Sequence, residues 1–225
     1  MSPSLTIVIP TWNEAATIAD TLDGLSALRE AGVEVLVIDG GSDDDTVARC
    51  TDGADRVLQA PRGRAKQLNA GAASARGEAL LFLHADTRLP EDAMASIGAA
   101  LAAGVDWGRF DVEIAGRSVM LPVIATLMNL RSRWTGIATG DQAIFVRRAL
   151  FESAGGFPDQ PLMEDIELST RLRLRCRPAC LRARVVTSGR RWERHGVWRT
   201  ILLMWSLRWR YWLGTPADTL ARSYR

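Results

Sequence analysis

The sequence has few cysteines and lacks the glycine-rich patterns that mark common nucleotide-binding folds. Neither G-x-G-x-x-G nor G-x-x-x-x-G-K-[S/T] occurs in its 225 residues, which argues against a dinucleotide-dependent oxidoreductase and a P-loop NTPase. The three cysteines, Cys50, Cys176 and Cys180, do not show the paired spacing of a metal site. They predict reduced thiols and a cytoplasmic protein.

Long apolar runs are missing as well. No uncharged apolar stretch reaches the ~18–20 residues of a membrane span. The start of the chain, MSPSLTIVIP, has neither the basic beginning nor the length of a signal peptide, so its apolar part predicts a first strand. No Pro-, Gly- or Ser-rich linker divides the chain, and we therefore expect a single domain over residues 1–225.

Charge is divided unevenly along the chain. The net charge is only +2, but from residue 170 onward fourteen arginines stand against Glu193 and Asp218. The front of the chain is therefore acidic and the tail basic. This asymmetry indicates an anionic partner for the tail, such as phosphate, nucleic acid or an acidic membrane surface, although solvated helix faces produce the same pattern.

Apolar, β-branched runs alternate with segments of helical periodicity, which is typical of an α/β fold with a mostly parallel sheet. The pattern predicts helices over 13–32, over 118–130 with an interruption at Pro122, and over 164–175. The predicted strands are 5–10, 33–39, 56–60, 79–85, 107–114, 142–147 and a short last strand over 180–188.

Polar residues follow three of these strands. Thr11 and Glu14 follow the first, Asp39 the second, and His84 and Asp86 the fourth. Ligands of open parallel sheets bind beyond the carboxyl ends of the strands, so we expect these clusters at one sheet edge. A carboxylate at the end of a buried strand either caps the next segment or binds a ligand, and Asp86 is open to both interpretations.

Four segments in this order resemble family 2 glycosyltransferases: VIPTWNE (8–14), VIDGGSDDDT (37–46), HADT (84–87) and GGFPDQPLMEDIELSTRL (155–172). The resemblance extends over residues 4–190. It implies the GT-A nucleotide-diphospho-sugar transferase fold, with a mixed, mostly parallel sheet flanked by helices, and a metal-dependent enzyme that inverts the anomeric centre. Within the family, the sequence is most similar to a small bacterial arsenosugar-biosynthesis-type subgroup.

The resemblance also implies a donor site for a nucleoside diphosphate sugar. Residues at the ends of the first two strands would surround the base and ribose, and basic residues near 62–66 would adjoin the phosphates. The implied donor-binding residues are Pro10, Thr11, Glu14, Asp39, Gly41, Arg62, Lys66 and Ala85.

The HADT segment is similar to the family's Asp-x-Asp metal motif, with His84 in place of the first Asp. Asp86 is therefore the implied ligand of Mn²⁺ or Mg²⁺, and His84 is either a second ligand or a hydrogen-bonded support for the loop. By the same resemblance Asp165 is the general base. The residues implied for the acceptor or the diphosphate are Asp141, Glu164, Arg190, Arg191 and Trp192.

We therefore expect an inverting transfer of sugar from a UDP- or GDP-sugar to the hydroxyl of a small-molecule or lipid-linked acceptor, without nucleic acid. Residues 1–105 would form the donor half, 106–190 the acceptor half and 191–225 a basic, Trp-rich C-terminal helix. One alternative is a sugar-phosphate nucleotidyltransferase, although the Gly-rich segment expected after its first strand is missing. The other is a non-catalytic, Arg-rich binding module.

The stretch 195–214 places four tryptophans among arginines. On a helix Arg199 and Arg210 fall near one line and Arg208 opposite, which argues against a cleanly two-faced membrane helix. Two interpretations stay open. The helix packs on the sheet or on a second subunit of a homodimer, with its tryptophans as core. Alternatively, it forms a wall of the acceptor site and touches the inner face of an anionic membrane peripherally.

Overall fold

The strands join into one sheet in the computed structural model, which describes residues 4–224. Met1–Pro3 and Arg225, the ends of the predicted single domain, lie outside the described residues. The strands are β1 (Leu5–Thr11), β2 (Glu34–Asp39), β3 (Arg56–Gln59), β4 (Ala79–Phe82), β5 (Thr87–Arg88), β6 (Trp107–Ala115), β7 (Ile144–Arg147) and β8 (Ala179–Ser188).

Helices connect and cover these strands, and a 3₁₀ turn spans Gly140–Gln142. The helices are α1 (Ile18–Asp23), α2 (Ser26–Glu30), α3 (Thr46–Cys50), α4 (Arg64–Ser74), α5 (Ala93–Ala102), α6 (Leu121–Thr135), α7 (Arg148–Ser153), α8 (Glu164–Arg173), α9 (Arg190–His195), α10 (Val197–Trp212) and α11 (Ala217–Tyr224). No helix within residues 4–224 has the length and apolar character needed to cross a bilayer.

The sheet has the order β3-β2-β1-β4-β7-β6-β8-β5. β1 pairs in parallel with β2 and β4, and β2 with β3. β7 is antiparallel to both of its neighbours, β4 and β6, whereas β8 is parallel to β6 and antiparallel to β5. The predicted α/β class with a mixed, mostly parallel sheet is confirmed.

Both faces of the sheet are buried, which explains why its central strands are apolar at nearly every position. Along β1, Ile7 and Ile9 enter the core cluster on one face and Val8 the cluster on the other. β2 divides Val35 and Leu36 in the same way. Each such side chain contributes roughly 1.5–3 kcal/mol when fully buried, so the continuous runs hold the sheet between two layers.

Three predicted elements before the C-terminal segment differ from the structure. The prediction of a single helix over 13–32 is wrong. Asn13 has a left-handed backbone (φ 54°), and the helix is interrupted at Gly24, so that two short helices, α1 and α2, form instead. Pro122 does not interrupt α6, because it lies in the first helical turn, where proline costs no hydrogen bond. The last strand is not short, since β8 has 10 residues and also pairs with β5.

The C-terminal segment predicted as one helix is three, because Gly196 has φ 82° and Pro216 follows α10. The interpretation of the tryptophans as core of this chain is wrong. Trp198, Trp205, Trp209 and Trp212 are 68%, 69%, 62% and 74% exposed. What packs instead is the opposite side of α10, where Leu207 joins a small core cluster with Leu162, Met163 and Leu220.

Candidate functional site

A cleft of about 460 Å³ lies beyond the carboxyl ends of β1 and β4. Pro10 and Thr11 reach it from the end of β1, and residues that follow β4 line it as well. The N-terminus of α8 and the C-terminal helices contribute the other lining residues. The predicted site residues that line it are Pro10, Thr11, Glu14, Arg62, His84, Ala85, Asp86, Asp141, Glu164, Asp165, Arg191 and Trp192.

Four predicted site residues do not line this cleft. Asp39 and Gly41 adjoin it, but the Asp39 carboxylate accepts hydrogen bonds from the Gly41 and Ser42 amides, both at 2.9 Å, and so closes the turn after β2. Lys66 pairs with Asp159 at 3.8 Å. Arg190 is at the rim. The donor-binding roles of Asp39, Gly41 and Lys66 stay predictions.

The segment that carries Asp86 is tied to the sheet at several points. Leu83 donates its amide to the Val8 carbonyl (3.1 Å), and the Thr21 hydroxyl donates to the Ala85 carbonyl (2.8 Å). The Thr87 hydroxyl then meets that of Thr187 on β8 at 3.0 Å. Asp86 is therefore held between two strands of the sheet.

One arginine faces the Asp86 carboxylate across the rim. Arg190 Nη2 lies 3.2 Å from Asp86 Oδ2 and 3.1 Å from Glu14 Oε2, and the guanidinium is half exposed. The two carboxylates raise the pKa of Arg190, against the opposing effect of burial. The Arg190 guanidinium thus lies between the Glu14 and Asp86 carboxylates and partly neutralises both.

His84 is packed against the turn at Gly140. Its Nδ1 lies 3.3 Å from Asp141 Oδ1, and a Cβ added to Gly140 would approach His84 Nε2 to 2.4 Å. Burial opposes ionisation of Asp141, but the hydrogen bond from His84 and nearby positive charges hold the pKa of that carboxyl below its ordinary value. Because both ring nitrogens face the 140–141 turn, this packing favours the supporting role for His84.

Two acidic residues begin α8, after Met163 has taken a left-handed backbone (φ 67°) that turns the chain into the helix. Asp165 Oδ2 accepts the Gly140 amide at 2.8 Å, and Oδ1 accepts the Ile166 amide at 2.7 Å. Together the two bonds fix the orientation of the carboxylate. Asp165 is thus a rigidly held carboxylate inside the cleft, which is what a general base requires.

Glu164, beside it, is only 2% exposed and pairs with Arg64 at 3.3 Å. Burial raises the pKa of Glu164, the negative charge of Asp165 adds to the rise, and Arg64 opposes it. The two neighbouring carboxyls therefore have different environments. Asp165 accepts two amide hydrogen bonds in the cleft, whereas Glu164 is buried against a cation.

Several cleft residues were not predicted. Gln67 is buried and donates its side-chain amide to the Thr11 and Ile38 carbonyls, at 2.7 and 2.8 Å, which ties β1 to β2. No sequence pattern indicated this role. Arg208 of α10 and Tyr224 of α11 also line the cleft. For Arg208 the sequence did offer one indication, because the helical spacing places it on the side of the helix opposite Arg199 and Arg210.

Two arginines lie near each other on the α6 and α10 side: Arg208 lines the cleft, and Arg131 is close behind it. The Nε and Nη2 atoms of Arg131 are buried and have no hydrogen-bond partner among residues 4–224. Burial lowers the pKa of Arg131 to about 10, and the charge of Arg208 contributes. Burial also lowers the pKa of Arg208, which faces Asp165. This side of the cleft is therefore suited to negative charge.

The donor set fits a divalent cation that takes most of its ligands from elsewhere. Within the described residues no group of three or more His, Cys, Asp and Glu side chains could hold a metal ion. Asp86 offers one half-buried carboxylate at the cleft. Mg²⁺ and similar hard ions bind through one or two carboxylates when substrate phosphates and water complete the shell, and Asp86 meets that requirement.

Comparison with known proteins agrees with this geometry. The model of the family "Glycosyl transferase family 2" matches residues 6–150. The probable glycosyltransferase YdaM of Bacillus subtilis is 27% identical over 195 residues, which are 76% of this chain and 46% of YdaM. The chain thus spans less than half the length of the curated relatives it matches.

Two solved structures share the fold. The mannosyltransferase PcManGT from Pyrobaculum calidifontis, in complex with GDP-Man and Mn²⁺, has a TM-score of 0.63 at 24% identity, over 83% of this chain and 57% of that one. Staphylococcus aureus TarS 1-349, in complex with UDP-GlcNAc, has a TM-score of 0.66 at 21% identity, over 82% and 58%. The predicted GT-A fold is confirmed, and with the family model matching more than half of its residues, the chain belongs to glycosyl transferase family 2.

Proposed function

We propose that this protein transfers a sugar from a nucleoside diphosphate sugar to a hydroxyl acceptor, with inversion at the anomeric carbon and with Asp165 as the base. The observation that carries the proposal is the single cleft that contains the ends of β1 and β4, Asp86 and Asp165. The fold neighbours in complex with GDP-Man and UDP-GlcNAc support a GDP- or UDP-linked donor.

In this proposal Asp165 removes the proton of the acceptor hydroxyl as its oxygen bonds to the anomeric carbon. The bond from that carbon to the diphosphate breaks on the opposite face, and the nucleoside diphosphate leaves with the electron pair. The amides of Gly140 and Ile166 hold the carboxylate still for this step. Arg191, which lies over the Tyr224 ring at 3.7 Å, has a guanidinium at the cleft for the departing phosphates.

Asp86 would hold a divalent cation, Mn²⁺ or Mg²⁺, and this ion would neutralise charge on the leaving diphosphate. The Mn²⁺ in the PcManGT complex supports this part of the proposal. Arg190 Nη2 already lies 3.2 Å from Asp86 Oδ2. A cation bound to Asp86 would therefore either displace the Arg190 guanidinium or share the carboxylate with it. Glu14 keeps Arg190 at the rim when the carboxylate is shared.

The proposal extends to features that rest on sequence alone. These are the resemblance to the bacterial arsenosugar-biosynthesis-type subgroup, without an arsenical acceptor being assigned, a small-molecule or lipid-linked acceptor, a cytoplasmic location with peripheral contact at the inner face of the membrane, and a homodimer. A sugar-phosphate nucleotidyltransferase is disfavoured by the family match. A nucleic-acid-binding module is disfavoured because acidic residues share the cleft with the arginines.

Thermal unfolding with a panel of nucleoside diphosphates, with and without Mn²⁺, tests the proposal. A ligand at about 100 times its Kd stabilises the native state by about 2.7 kcal/mol. We expect UDP or GDP to raise Tm in the presence of Mn²⁺, and Asp86→Asn to remove the metal-dependent part. Asp23→Asn is the matched control, because Asp23 is exposed and does not line the cleft. The absence of any metal-dependent shift would contradict the proposal.

A further inference from the structure

The exposed tryptophans of α10 lie on one face of that helix. Their spacing, together with one leucine, alternates between four and three residues, which is the repeat of a single helical stripe. All five side chains are between 62% and 74% exposed. We call this the α10 stripe: Trp198, Leu202, Trp205, Trp209 and Trp212.

A second exposed apolar stripe runs along α6. It begins just before the helix and recurs every three or four residues, while Leu121, Ile124 and Ala125 on the other side of α6 are buried in the core. We call it the α6 stripe: Val119, Val123, Leu127, Leu130 and Trp134.

The two helices that carry these stripes both reach the cleft. Ile201 of α10 packs on the core cluster that contains Ile124 of α6. Met128 of α6 and Met204 of α10 line the same cleft. The inner sides of both helices therefore border the cleft, and both outer sides are apolar. Isolated surface hydrophobics need no explanation, but two exposed stripes of five residues, carried by helices that border one cleft, indicate a docking surface.

Charge identifies the partner. Neither α6 nor α10 contains an acidic residue. Arg199 and Arg210 follow Trp198 and Trp209 by one position, so they lie roughly 100° to one side of the α10 stripe. Arginines beside an apolar stripe match an anionic lipid surface, where the indole N–H and the guanidinium stay at the polar interface.

A second copy of the chain is the less suitable occupant. A two-fold interface would place this surface against itself. The arginines beside the α10 stripe would then face arginines, and α6 and α10 supply no carboxylate to neutralise them. Like charges opposed in this way disfavour association.

We propose that the α6 and α10 stripes together dock on an anionic phospholipid bilayer, with α10 lying in the plane of the membrane surface. Docking would bring the α6 and α10 side of the cleft next to the lipid headgroups. Apolar residues lie on both the exposed and the buried side of α10, in line with the prediction that it is not a cleanly two-faced helix. Arg208, opposite Arg199 and Arg210, lines the cleft and does not interrupt the exposed stripe. The proposal is independent of the transferase reaction, because docking needs neither donor nor acceptor.

Sedimentation of the full chain with vesicles tests this. Phosphatidylcholine vesicles are compared with vesicles that also contain phosphatidylglycerol, at low and at high salt. We expect binding to the anionic vesicles, weakened by salt. The double change Trp205→Ser and Trp209→Ser should lower the partition coefficient at least about tenfold. Leu174→Ser is the control, since Leu174 is 79% exposed on another surface.

A second pair of variants separates charge from apolar contact. Arg199→Glu with Arg210→Glu should remove the preference for anionic vesicles. Failure to bind anionic vesicles at low salt, or unchanged binding by the double tryptophan variant, overturns the proposal. Sedimentation velocity tests whether a second copy of the chain occupies this surface instead. If the protein does not bind lipid but forms a dimer that the double tryptophan variant abolishes, the surface serves self-association and membrane docking is overturned.

Discussion

Replacement of Asp165 by asparagine changes one carboxylate oxygen into an amide and leaves the volume of the side chain almost unchanged. In the protein this carboxylate accepts two amide hydrogen bonds, from Gly140 at 2.8 Å and from Ile166 at 2.7 Å. Asparagine has a single oxygen acceptor, so its NH₂ group must face one of these N–H donors. One hydrogen bond is therefore lost, at a cost of about 1–3 kcal/mol in stability.

The catalytic cost is separate from this structural cost. Loss of a positioned general base slows transfer by roughly 10²–10⁴, which corresponds to about 2.7–5.5 kcal/mol in the activation barrier. We expect kcat to fall by that factor while donor Kd changes little, because the Asp165 side chain acts on the acceptor hydroxyl. Stability should fall enough to lower Tm by about 2–4 °C per kcal/mol lost.

Turnover at saturating donor and acceptor, donor titration by calorimetry, and the anomeric configuration of the product by NMR together test this reasoning. Glu167→Gln is a matched control, since Glu167 is on the same helix, carries the same charge and pairs with Arg171 at 3.0 Å. Near-normal turnover by the Asp165 variant, or a product with retained configuration, would refute the role of Asp165. If kcat falls by the same factor in the Glu167 control, the loss of turnover in the Asp165 variant would be explained by lost stability and not by a lost base.

Three further predictions concern the metal, a partly buried carboxylate and a close contact. Asp86→Asn should abolish Mn²⁺-stimulated donor binding in calorimetry and His84→Ala should lose less; equal losses would contradict the supporting role of the imidazole. Burial raises the pKa of Glu34, but hydrogen bonds and an ion pair outweigh it and lower that pKa overall. The ionised Glu34 side chain therefore stabilises the fold at a pH above its unfolded pKa near 4.5, and this stabilisation disappears as the pH falls through the folded pKa. Glu34→Gln should therefore cost about 1–3 kcal/mol at neutral pH and progressively less in acid, as urea unfolding across pH can show. Gly71→Ala, whose new Cβ would lie 2.3 Å from a β1 side chain, should cost about 1–3 kcal/mol, whereas Gly24→Ala should be neutral in the same denaturation assay.

The central sheet was predictable because double-sided burial leaves a strong mark on the sequence. Strands such as β2 are apolar at nearly every position, and the polar residues that follow them mark the carboxyl edge. Asp86 and Asp165 could be placed near each other by combining this edge rule with the family resemblance, and the structure brings both into one cleft. Both signals are read from short segments of the sequence.

Long-range pairing left no such mark. The two residues of β5 join β8 across 100 positions, and a strand of that length has no periodicity to detect. Arg208 and Tyr224 enter the cleft because α10 and α11 fold back over it, which depends on the turns at Gly196 and Pro216. The spacing of the tryptophans defined a stripe, but spacing alone does not determine whether a stripe faces protein or solvent.

The anchoring of the segment before β5 bears on the entropy of ligand binding. Fixing the backbone of a residue costs about 1–2 kcal/mol, and a mobile loop would add that cost to every binding event. Here the amide of Leu83, the carbonyl of Ala85 and the hydroxyl of Thr87 are already bonded to other elements. The ordering of Asp86 therefore belongs to folding, and the carboxylate is preorganised. Substitution of Thr21, 65 positions upstream of Asp86 and outside the cleft lining, should then weaken metal affinity through backbone disorder alone.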